Sequence, residues 1–285
     1  MLSNENEDER RKLGIQSVEI GAHILFTLAN FNKPATLSEL SRQLNMAPSN
    51  VRRYLVSLAN TGLVEQAPNS LRYMLGSACV RLGLLSMGQR PEIEVVNDAA
   101  RDLRDEIDLC VGLLSTNELP PMMINWFSNG DRITHVGRLG ANFSLVHSAS
   151  GRTALAHQPE AEIVTAFRKA VREGRKPTYC GELLDEEDFL ALNARIREQG
   201  VTHVRGDYTP GIEAYAAPVF NAAGKVIFVL TVVGRVGVFE SEHSAQQVVA
   251  ALKAAVSRVN DRTGFSATAT PITFPETPVL SFRDG

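Results

Sequence analysis

The sequence has few cysteines and no long apolar run, and both features exclude classes of protein. Its three cysteines are Cys79, Cys110 and Cys180, an odd and widely spaced set that forms neither a disulfide framework nor a Cys-x-x-Cys metal knuckle. No stretch approaches the roughly 18 apolar residues of a membrane span, and the first residues are acidic where a signal peptide would be basic. We therefore expect a cytoplasmic protein with free, buried thiols and no membrane partner.

Sequence motifs of catalysis are missing as well. There is no P-loop, no G-x-G-x-x-G, and no pair of histidines spaced as zinc ligands. His147, Ser148 and Ser150 stand close to Gly151, but the G-x-S-x-G elbow of a serine hydrolase lacks its first glycine. A serine that caps the start of a helix is the simpler interpretation. The sequence therefore predicts neither an enzyme nor a metal site nor a cofactor.

Charge is distributed unevenly along a chain that is otherwise typical of globular proteins, with 44% hydrophobic and 21% charged residues. Residues 10–90 contain ten Lys and Arg against three Asp and Glu, whereas residues 91–285 contain 19 against 25. A basic first third joined to an acidic remainder is expected when one domain meets a polyanion. Basic domains also bind acidic proteins, so charge alone leaves both kinds of partner open.

The basic third has the pattern of a winged helix-turn-helix. An amphipathic helix is predicted from Gln16 to about Asn30, a second helix follows the T-x-x-E capping box of Thr36 and Glu39, and a third begins at Pro48. Two short strands, residues 63–66 and 71–75, flank a turn and form the wing. The tight turn between the second and third helices is the signature of a helix-turn-helix.

The exposed face of the third helix has the residue types that read DNA. Arginine forks onto guanine, asparagine onto adenine, and serine donates to phosphate. Arg72 in the wing is expected to contact phosphate. The candidate DNA-binding residues are Ser38, Ser49, Asn50, Arg52, Arg53, Ser57 and Arg72.

The remainder of the chain alternates between strand-like and helical patterns. Strands are predicted at 109–114, 122–127, 133–137, 215–220 and 226–233, with helices at 91–107, 149–156, 160–173, 186–199 and 243–259. This order favours an α+β domain with an antiparallel sheet flanked by helices. The predicted organisation is a disordered 1–14, a DNA-binding domain at 15–82, a linker at 83–91, an effector-binding and oligomerisation domain at 92–262 and a flexible tail at 263–285.

Several segments in order resemble the IclR family of bacterial transcription regulators. In the first domain these are residues 17–19 (Ser-Val-Glu), 36–40 (Thr-Leu-Ser-Glu-Leu), 48–55 (Pro-Ser-Asn-Val-Arg-Arg-Tyr-Leu) and 62–64 (Gly-Leu-Val). In the second they are residues 148–155, similar to the family's Thr-Ala-x-Gly-Lys-Ala stretch, and 210–220, similar to its Gly-x-x-Cys-x-Ala-Ala-Pro-Val stretch. Asn50, Arg52 and Tyr54 depart from the family pattern on the third helix, so the resemblance leaves the base preference open.

The resemblance implies a GAF-like second domain with a small-molecule effector at the start of the 149–156 helix. By position the effector-binding residues are Ala149, Ser150, Gly151, Arg152, Arg205, Asp207, Ala214, Thr231 and Val233. A helix N-terminus suits a carboxylate. Val204, Ala214 and Val233 make the pocket more apolar than one for a very small acid, so an aromatic acid is expected. The alternative is that Val204, Ala214 and Val233 are core residues in a pocket that the protein no longer uses. Glu213 would cancel the charge of Arg205 if the two paired.

The resemblance also implies a homodimer or homotetramer that binds palindromic double-stranded DNA. An alternative is a GAF-like sensory module fused to an adaptor domain that binds protein and not DNA. The third helix separates the two hypotheses, because Asn50, Arg52 and Arg53 suit bases and phosphates, whereas a protein groove would call for aromatic anchors.

Overall fold

The computed structural model describes residues 14–31, 33–130, 137–179, 181–240 and 242–264. The chain divides after Arg90 into two compact units. No helix in these ranges is long and apolar enough to cross a membrane. Of the three cysteines, Cys79 is a half-buried and Cys110 a buried free thiol, and Cys180 lies outside the described residues.

The first unit is a winged helix, as predicted. Thr36 accepts a hydrogen bond from the backbone N–H of Glu39, whose carboxylate accepts one from the Thr36 N–H, so the predicted capping box is formed. Asn45, with φ of 50°, supplies the left-handed residue that ends the second helix and turns the chain. The elements are α1 (Gln16–Asn30), α2 (Leu37–Gln43), α3 (Pro48–Asn60), β1 (Val64–Gln66), β2 (Tyr73–Leu75) and α4 (Ser77–Gly88).

The core of this unit lies between the three helices and the wing. Its buried residues come from α1, α2, α3 and β1, and include Ile24, Leu40, Val51 and Leu55 with no exposed surface. Apolar residues at three- and four-residue spacing along α3 place one face in this core. The opposite face of α3 is therefore left to solvent.

The segment predicted as a linker is largely helical. Helix α4 continues to Gly88, two residues before the division between the units. The small residues between positions 83 and 89 are typical of a flexible linker, but six of these seven residues continue the helix. No residue of α4 is buried, and Val80, Leu82, Leu84 and Leu85 are each more than half exposed.

The second unit is built on a five-stranded antiparallel sheet with strand order β4-β3-β9-β8-β7. Its elements are α5 (Pro91–Ile107), β3 (Cys110–Ser115), β4 (Met122–Phe127), α6 (Ala149–Ala156), α7 (Glu160–Arg172), β5 (Thr178–Tyr179), β6 (Glu182–Leu183), α8 (Glu186–Gln199), β7 (Thr202–Arg205), β8 (Ile212–Phe220), β9 (Val226–Arg235) and α9 (Glu242–Thr263). Helices α5 and α9 pack on each other and on the sheet, and α6 packs on β7, β8 and β9. The predicted α+β architecture is confirmed.

Three elements of this unit were not predicted: the short β5–β6 hairpin and the edge strand β7. Each is four residues or shorter, too short for a hydrophobic period to emerge. The strand predicted at 133–137 lies almost wholly outside the described residues. The predicted N-terminal and C-terminal disordered segments also lie outside them, apart from residues 14, 263 and 264.

Candidate DNA-binding surface and effector cavity

Helix α3 presents its polar side chains to solvent. Arg52 and Arg53 are both exposed, and neither forms an ion pair with any residue that the structure describes. The Ser57 hydroxyl donates to the carbonyl oxygen of Arg53 at 3.2 Å. The exposed candidates are Ser49, Asn50, Arg52, Arg53 and Ser57 on α3 and Ser38 on α2. Two cations that are not neutralised within the protein therefore stand on one polar helix face.

Arg72 is placed differently, because its guanidinium is engaged within the protein. Its Nη1 donates to the Glu39 carboxylate and to the Pro34 carbonyl oxygen, both at 3.1 Å. Hydrogen bonds from the Thr36 backbone and hydroxyl, together with the charge of Arg72, hold the pKa of Glu39 below its ordinary value. Tyr73 next to it exchanges backbone hydrogen bonds with Ala35 at 2.7 and 2.9 Å. Arg72 thus ties the base of the wing to the start of α2.

A small cavity in the second unit lies between α6, the sheet and the loop that joins β7 to β8. Its volume is about 30 Å³, room for about two water molecules. The walls are mostly apolar. The lining residues are Met123, Phe143, Ser148, Ala149, Ser150, Val204, Tyr208, Thr209, Ile212, Ala214, Thr231 and Val233.

Five of the nine predicted effector residues line this cavity: Ala149, Ser150, Ala214, Thr231 and Val233. The hydroxyls of Ser150 and Thr231 are buried and hydrogen-bonded to each other at 2.8 Å. The first backbone N–H groups of α6 have no carbonyl of their own helix to bond to. The cavity therefore combines a helix start and a hydroxyl pair with apolar walls.

The other four, Gly151, Arg152, Arg205 and Asp207, do not line the cavity. Gly151 is a packing residue, because a Cβ at that position would lie 2.0 Å from the carbonyl oxygen of Ser144. Glycine is required there by the close approach of α6 to the preceding segment. Its place in the sequence motif reflects this contact.

Arg152 and Asp207 form a buried ion pair with each other. Their side chains are 0% and 4% exposed, and Arg152 Nη1 lies 3.3 Å from Asp207 Oδ2. Arg152 also donates from Nε to the Val146 carbonyl oxygen at 2.9 Å and from Nη2 to the Thr178 carbonyl oxygen. A cation held in this way is a structural group in this conformation.

Arg205 is turned toward acidic side chains. Its guanidinium lies 4.0 Å from Glu213 and 3.7 Å from Glu240. Glu213 is buried and its other carboxylate oxygen is 2.8 Å from His203 Nε2. The pairing of Glu213 with Arg205 foreseen from the sequence is thus present, and the cavity receives no positive charge from Arg205.

Six lining residues were not predicted as effector contacts: Met123, Phe143, Ser148, Tyr208, Thr209 and Ile212. The rings of Phe143 and Tyr208 lie 5.7 Å apart, and burial raises the pKa of Tyr208. Tyr208 and Thr209 follow the predicted Asp207, so the segment was located but its facing residues were not. Phe143 lies outside any helix or strand, where no period indicates which way a side chain points.

The serine and histidine residues near Gly151 are not arranged for catalysis. Ser148 caps α6, accepting from the Gly151 N–H at 2.9 Å and donating to the Ser144 carbonyl oxygen at 2.7 Å. His147 is bonded to the Ser144 hydroxyl and the Lys176 carbonyl oxygen, at 3.1 and 3.2 Å. Within the described ranges, no three His, Cys, Asp or Glu side chains are grouped as metal ligands.

Comparison with known proteins identifies the class to which these two units belong. Residues 17–68 match the family model of the IclR helix-turn-helix domain, and residues 90–261 match that of the bacterial transcriptional regulator IclR C-terminal domain. The chain belongs to the IclR family and is a DNA-binding transcription regulator. This decides against the adaptor alternative, in which the first domain would bind protein and not DNA.

Individual relatives agree with the family models. The chain is 26% identical over 222 residues to the HTH-type transcriptional regulator BhcR of Paracoccus denitrificans, covering 78% of each protein. It is 26% identical to an IclR transcriptional regulator from Alicyclobacillus acidocaldarius, with a TM-score of 0.74 over 88% of this chain and 100% of that one. These relatives are named as regulators and not as enzymes.

A further solved structure shares the fold and contains a ligand. It is an IclR homologue from Microbacterium hydrocarbonoxydans complexed with 4-hydroxybenzoate, 18% identical, with a TM-score of 0.69 over 86% of this chain and 98% of that one.

Proposed function

We propose that this protein binds a palindromic operator through α3 as a homodimer or homotetramer, and that an aromatic carboxylic acid bound in the cavity of the second unit controls this binding. The observation that supports the effector class best is the composition of the cavity. Its lining combines a helix start and the hydrogen-bonded hydroxyls of Ser150 and Thr231 with the side chains of Met123, Phe143 and Tyr208.

On the DNA side, the exposed residues of α3 are the proposed base-reading set. Asn50, Arg52 and Arg53 would face base edges in the major groove, while Ser38, Ser49 and Ser57 would contact phosphates. In a dimer, two such helices would enter successive major grooves about 34 Å apart. The two unneutralised arginines on this face are the main support for the assignment.

Oligomer formation is supported by the apolar surface of α4. Four of its apolar side chains are more than half exposed, and a helix with such a surface is stabilised when another surface covers it. We propose that a second copy of the chain does so, which also supplies the two-fold symmetry that a palindrome matches.

The carboxylate of the effector would lie at the N–H groups that begin α6. These groups and the helix dipole favour an anion. The ring would lie among Met123, Phe143 and Tyr208, with Val204, Ala214 and Val233 completing the apolar wall. The 4-hydroxybenzoate complex of the Microbacterium homologue supports an acid of this size.

Arg72 has two proposed roles, a phosphate contact and the tie between the wing and α2, and Glu39→Gln separates them. Arg72→Ala removes both a candidate phosphate contact and the tie between the wing and α2, whereas Glu39→Gln weakens only the tie while removing a negative charge. If phosphate contact is the only role of Arg72, Arg72→Ala flattens the dependence of log affinity on log salt by about one unit, and Glu39→Gln strengthens DNA binding. The measurement is fluorescence anisotropy of labelled DNA at several salt concentrations.

We expect Arg72→Ala to flatten the salt dependence and Glu39→Gln to weaken DNA binding. The affinity lost when the wing is displaced should exceed the affinity gained by removing a negative charge. An unchanged salt slope in Arg72→Ala would remove Arg72 from the phosphate contacts. Tighter binding by Glu39→Gln would show that the tie does not position the wing.

A thermal-shift screen of organic acids tests the effector class. A ligand at 100 times its dissociation constant stabilises the native state by about 2.7 kcal/mol, which for a unit of this size corresponds to a rise of about 5 to 10 °C. We expect 4-hydroxybenzoate or a related aromatic acid to produce such a rise, and glyoxylate and pyruvate to produce none.

The matched variants for this screen are Ala214→Leu, which fills the cavity, and Ala191→Leu, which adds the same atoms on the exposed side of α8. The rise should vanish in the first and remain in the second. Stabilisation only by small hydrophilic acids or by cationic compounds would contradict the proposed effector class.

A further inference from the structure

The loop that joins β7 to β8, residues 206–211, forms one wall of the cavity and has a glycine at each end. Gly206 and Gly211 at its two ends both have φ of 78°, a conformation that glycine adopts without strain. The Gly206 N–H donates to the Ile212 carbonyl oxygen at 2.8 Å and closes the loop. Tyr208 and Thr209 between them line the cavity.

One side chain of this loop fixes it to the body of the unit. Asp207 accepts from Arg152 Nη1 at 3.3 Å and from the Thr178 hydroxyl at 2.9 Å. Arg152 is in turn held by the carbonyl oxygens of Val146 and Thr178. Since the Asp207 and Arg152 side chains are almost fully buried, this contact is shielded from water and from salt.

The cavity under the fixed loop is too small for an organic effector. Its volume is about 30 Å³, whereas a cavity of about 150 Å³ is the size that accommodates benzene. The sheet and α6 form walls of regular structure, joined by many backbone hydrogen bonds. The irregular walls are the segment that carries Phe143 and the loop from Gly206 to Gly211. The loop is the one of the two that is held by a single buried ion pair, Arg152 with Asp207.

From this arrangement we propose that Asp207 is a latch: its contacts with Arg152 and Thr178 hold the 206–211 loop closed, and a ligand reaches the cavity when they open. The inference rests on the proposed function of the cavity as the effector site. Asp207 is then a positioning residue that never touches the ligand. It sets the fraction of molecules able to bind, and the apparent affinity is reduced by that fraction.

If Asp207 is a latch, weakening its contacts should loosen the 206–211 loop and leave the rest of the unit unchanged. A merely structural ion pair would not produce this local effect. Asp207→Asn keeps the size of the side chain but replaces the carboxylate by an amide, and Thr178→Val removes one hydrogen bond while keeping the ion pair. The amide introduced by Asp207→Asn would keep a carbonyl oxygen that can accept from Arg152, so both changes weaken the contact without leaving Arg152 unbonded. Either change should therefore favour the open loop while the unit stays folded. Glu186→Gln is the control, because Glu186 forms a two-pronged ion pair with Arg168 on the exposed surface.

Hydrogen–deuterium exchange of the full-length protein without ligand tests this directly. We expect the amides of Gly206 and Ile212 to exchange about tenfold faster or more in Asp207→Asn, less so in Thr178→Val, and unchanged in Glu186→Gln. Amides of β8 and β9 should keep their wild-type rates. Unchanged loop exchange in both latch variants, or acceleration spread over the whole unit, would overturn the proposal.

Acrylamide quenching of Trp126 gives a second readout, because Trp126 is the single tryptophan of the chain and packs against a buried cluster that contains Val233 of the cavity wall. Quenching should increase in Asp207→Asn and not in Glu186→Gln. If Asp207→Asn does not fold, Thr178→Val still decides the matter through the same two measurements.

The association rate of 4-hydroxybenzoate, measured by stopped-flow fluorescence, tests the latch and the proposed function separately. Faster association in Asp207→Asn than in the wild type supports both. Faster loop exchange with no binding of this acid to either protein keeps the latch and refutes the ligand class. Binding at equal association rates in both proteins refutes the latch and keeps the function.

Discussion

Replacing Arg152 by methionine is expected to destabilise the second unit by about 3 to 5 kcal/mol. The substitution leaves the Asp207 carboxylate buried without its charged partner, and removal of one member of a buried ion pair typically costs that amount. It also leaves the carbonyl oxygens of Val146 and Thr178 without the hydrogen bonds that Arg152 donates. Urea unfolding followed by circular dichroism measures the change.

Two further variants show whether the loss comes from the unpaired charge. Arg152→Met combined with Asp207→Leu removes both charges and should be more stable than Arg152→Met alone. Arg168→Met breaks the exposed pair with Glu186 and should change the stability by less than about 1 kcal/mol. A loss in Arg152→Met no larger than that in Arg168→Met would show that the burial of Arg152 is unimportant for stability.

Replacing Arg52 or Arg53 by alanine is expected to weaken operator binding by about 1 to 3 kcal/mol for each residue that reads a base. This corresponds to a loss of affinity of about 5- to 150-fold. Both side chains are exposed on α3 and unneutralised by any described acid, so neither substitution disturbs the core. Fluorescence anisotropy at fixed salt measures the affinity.

Arg172→Ala is the matched control, because it removes the same charge from the exposed surface of α7 in the second unit. It should leave operator affinity unchanged. Wild-type affinity in both Arg52→Ala and Arg53→Ala would remove α3 from the interface, and an equal loss in Arg172→Ala would reduce the effect to net charge.

The winged helix was predictable because its determinants are local. The capping box of Thr36 and Glu39 and the start of α3 at Pro48 depend on residues three or four positions apart, which the sequence displays directly. The contact of Arg72 with Glu39 could not be predicted from the sequence, because the two residues are 33 positions apart. Helix α4 was missed because a helix without a buried face has no amphipathic period to detect.

The cavity was predictable in location but not in charge. Ala214, Thr231 and Val233 alternate along strands β8 and β9, so their shared face follows from the strand period. Whether Arg152 and Arg205 add positive charge to the cavity depends on contacts between segments that are distant in the sequence. Arg152 meets Asp207 across 55 residues, and no local pattern indicates that the two would neutralise each other.

The most direct test of the central claim joins the two units in one measurement. A genomic fragment selected with the purified protein is labelled, and its affinity is measured by fluorescence anisotropy with and without the acid that the thermal screen identifies. We predict that saturating acid changes the dissociation constant about 5- to 150-fold, the range of typical allosteric coupling, and that Ala214→Leu abolishes this change while still binding DNA. An affinity that does not respond to the bound acid would contradict the claim that the cavity controls the helix-turn-helix.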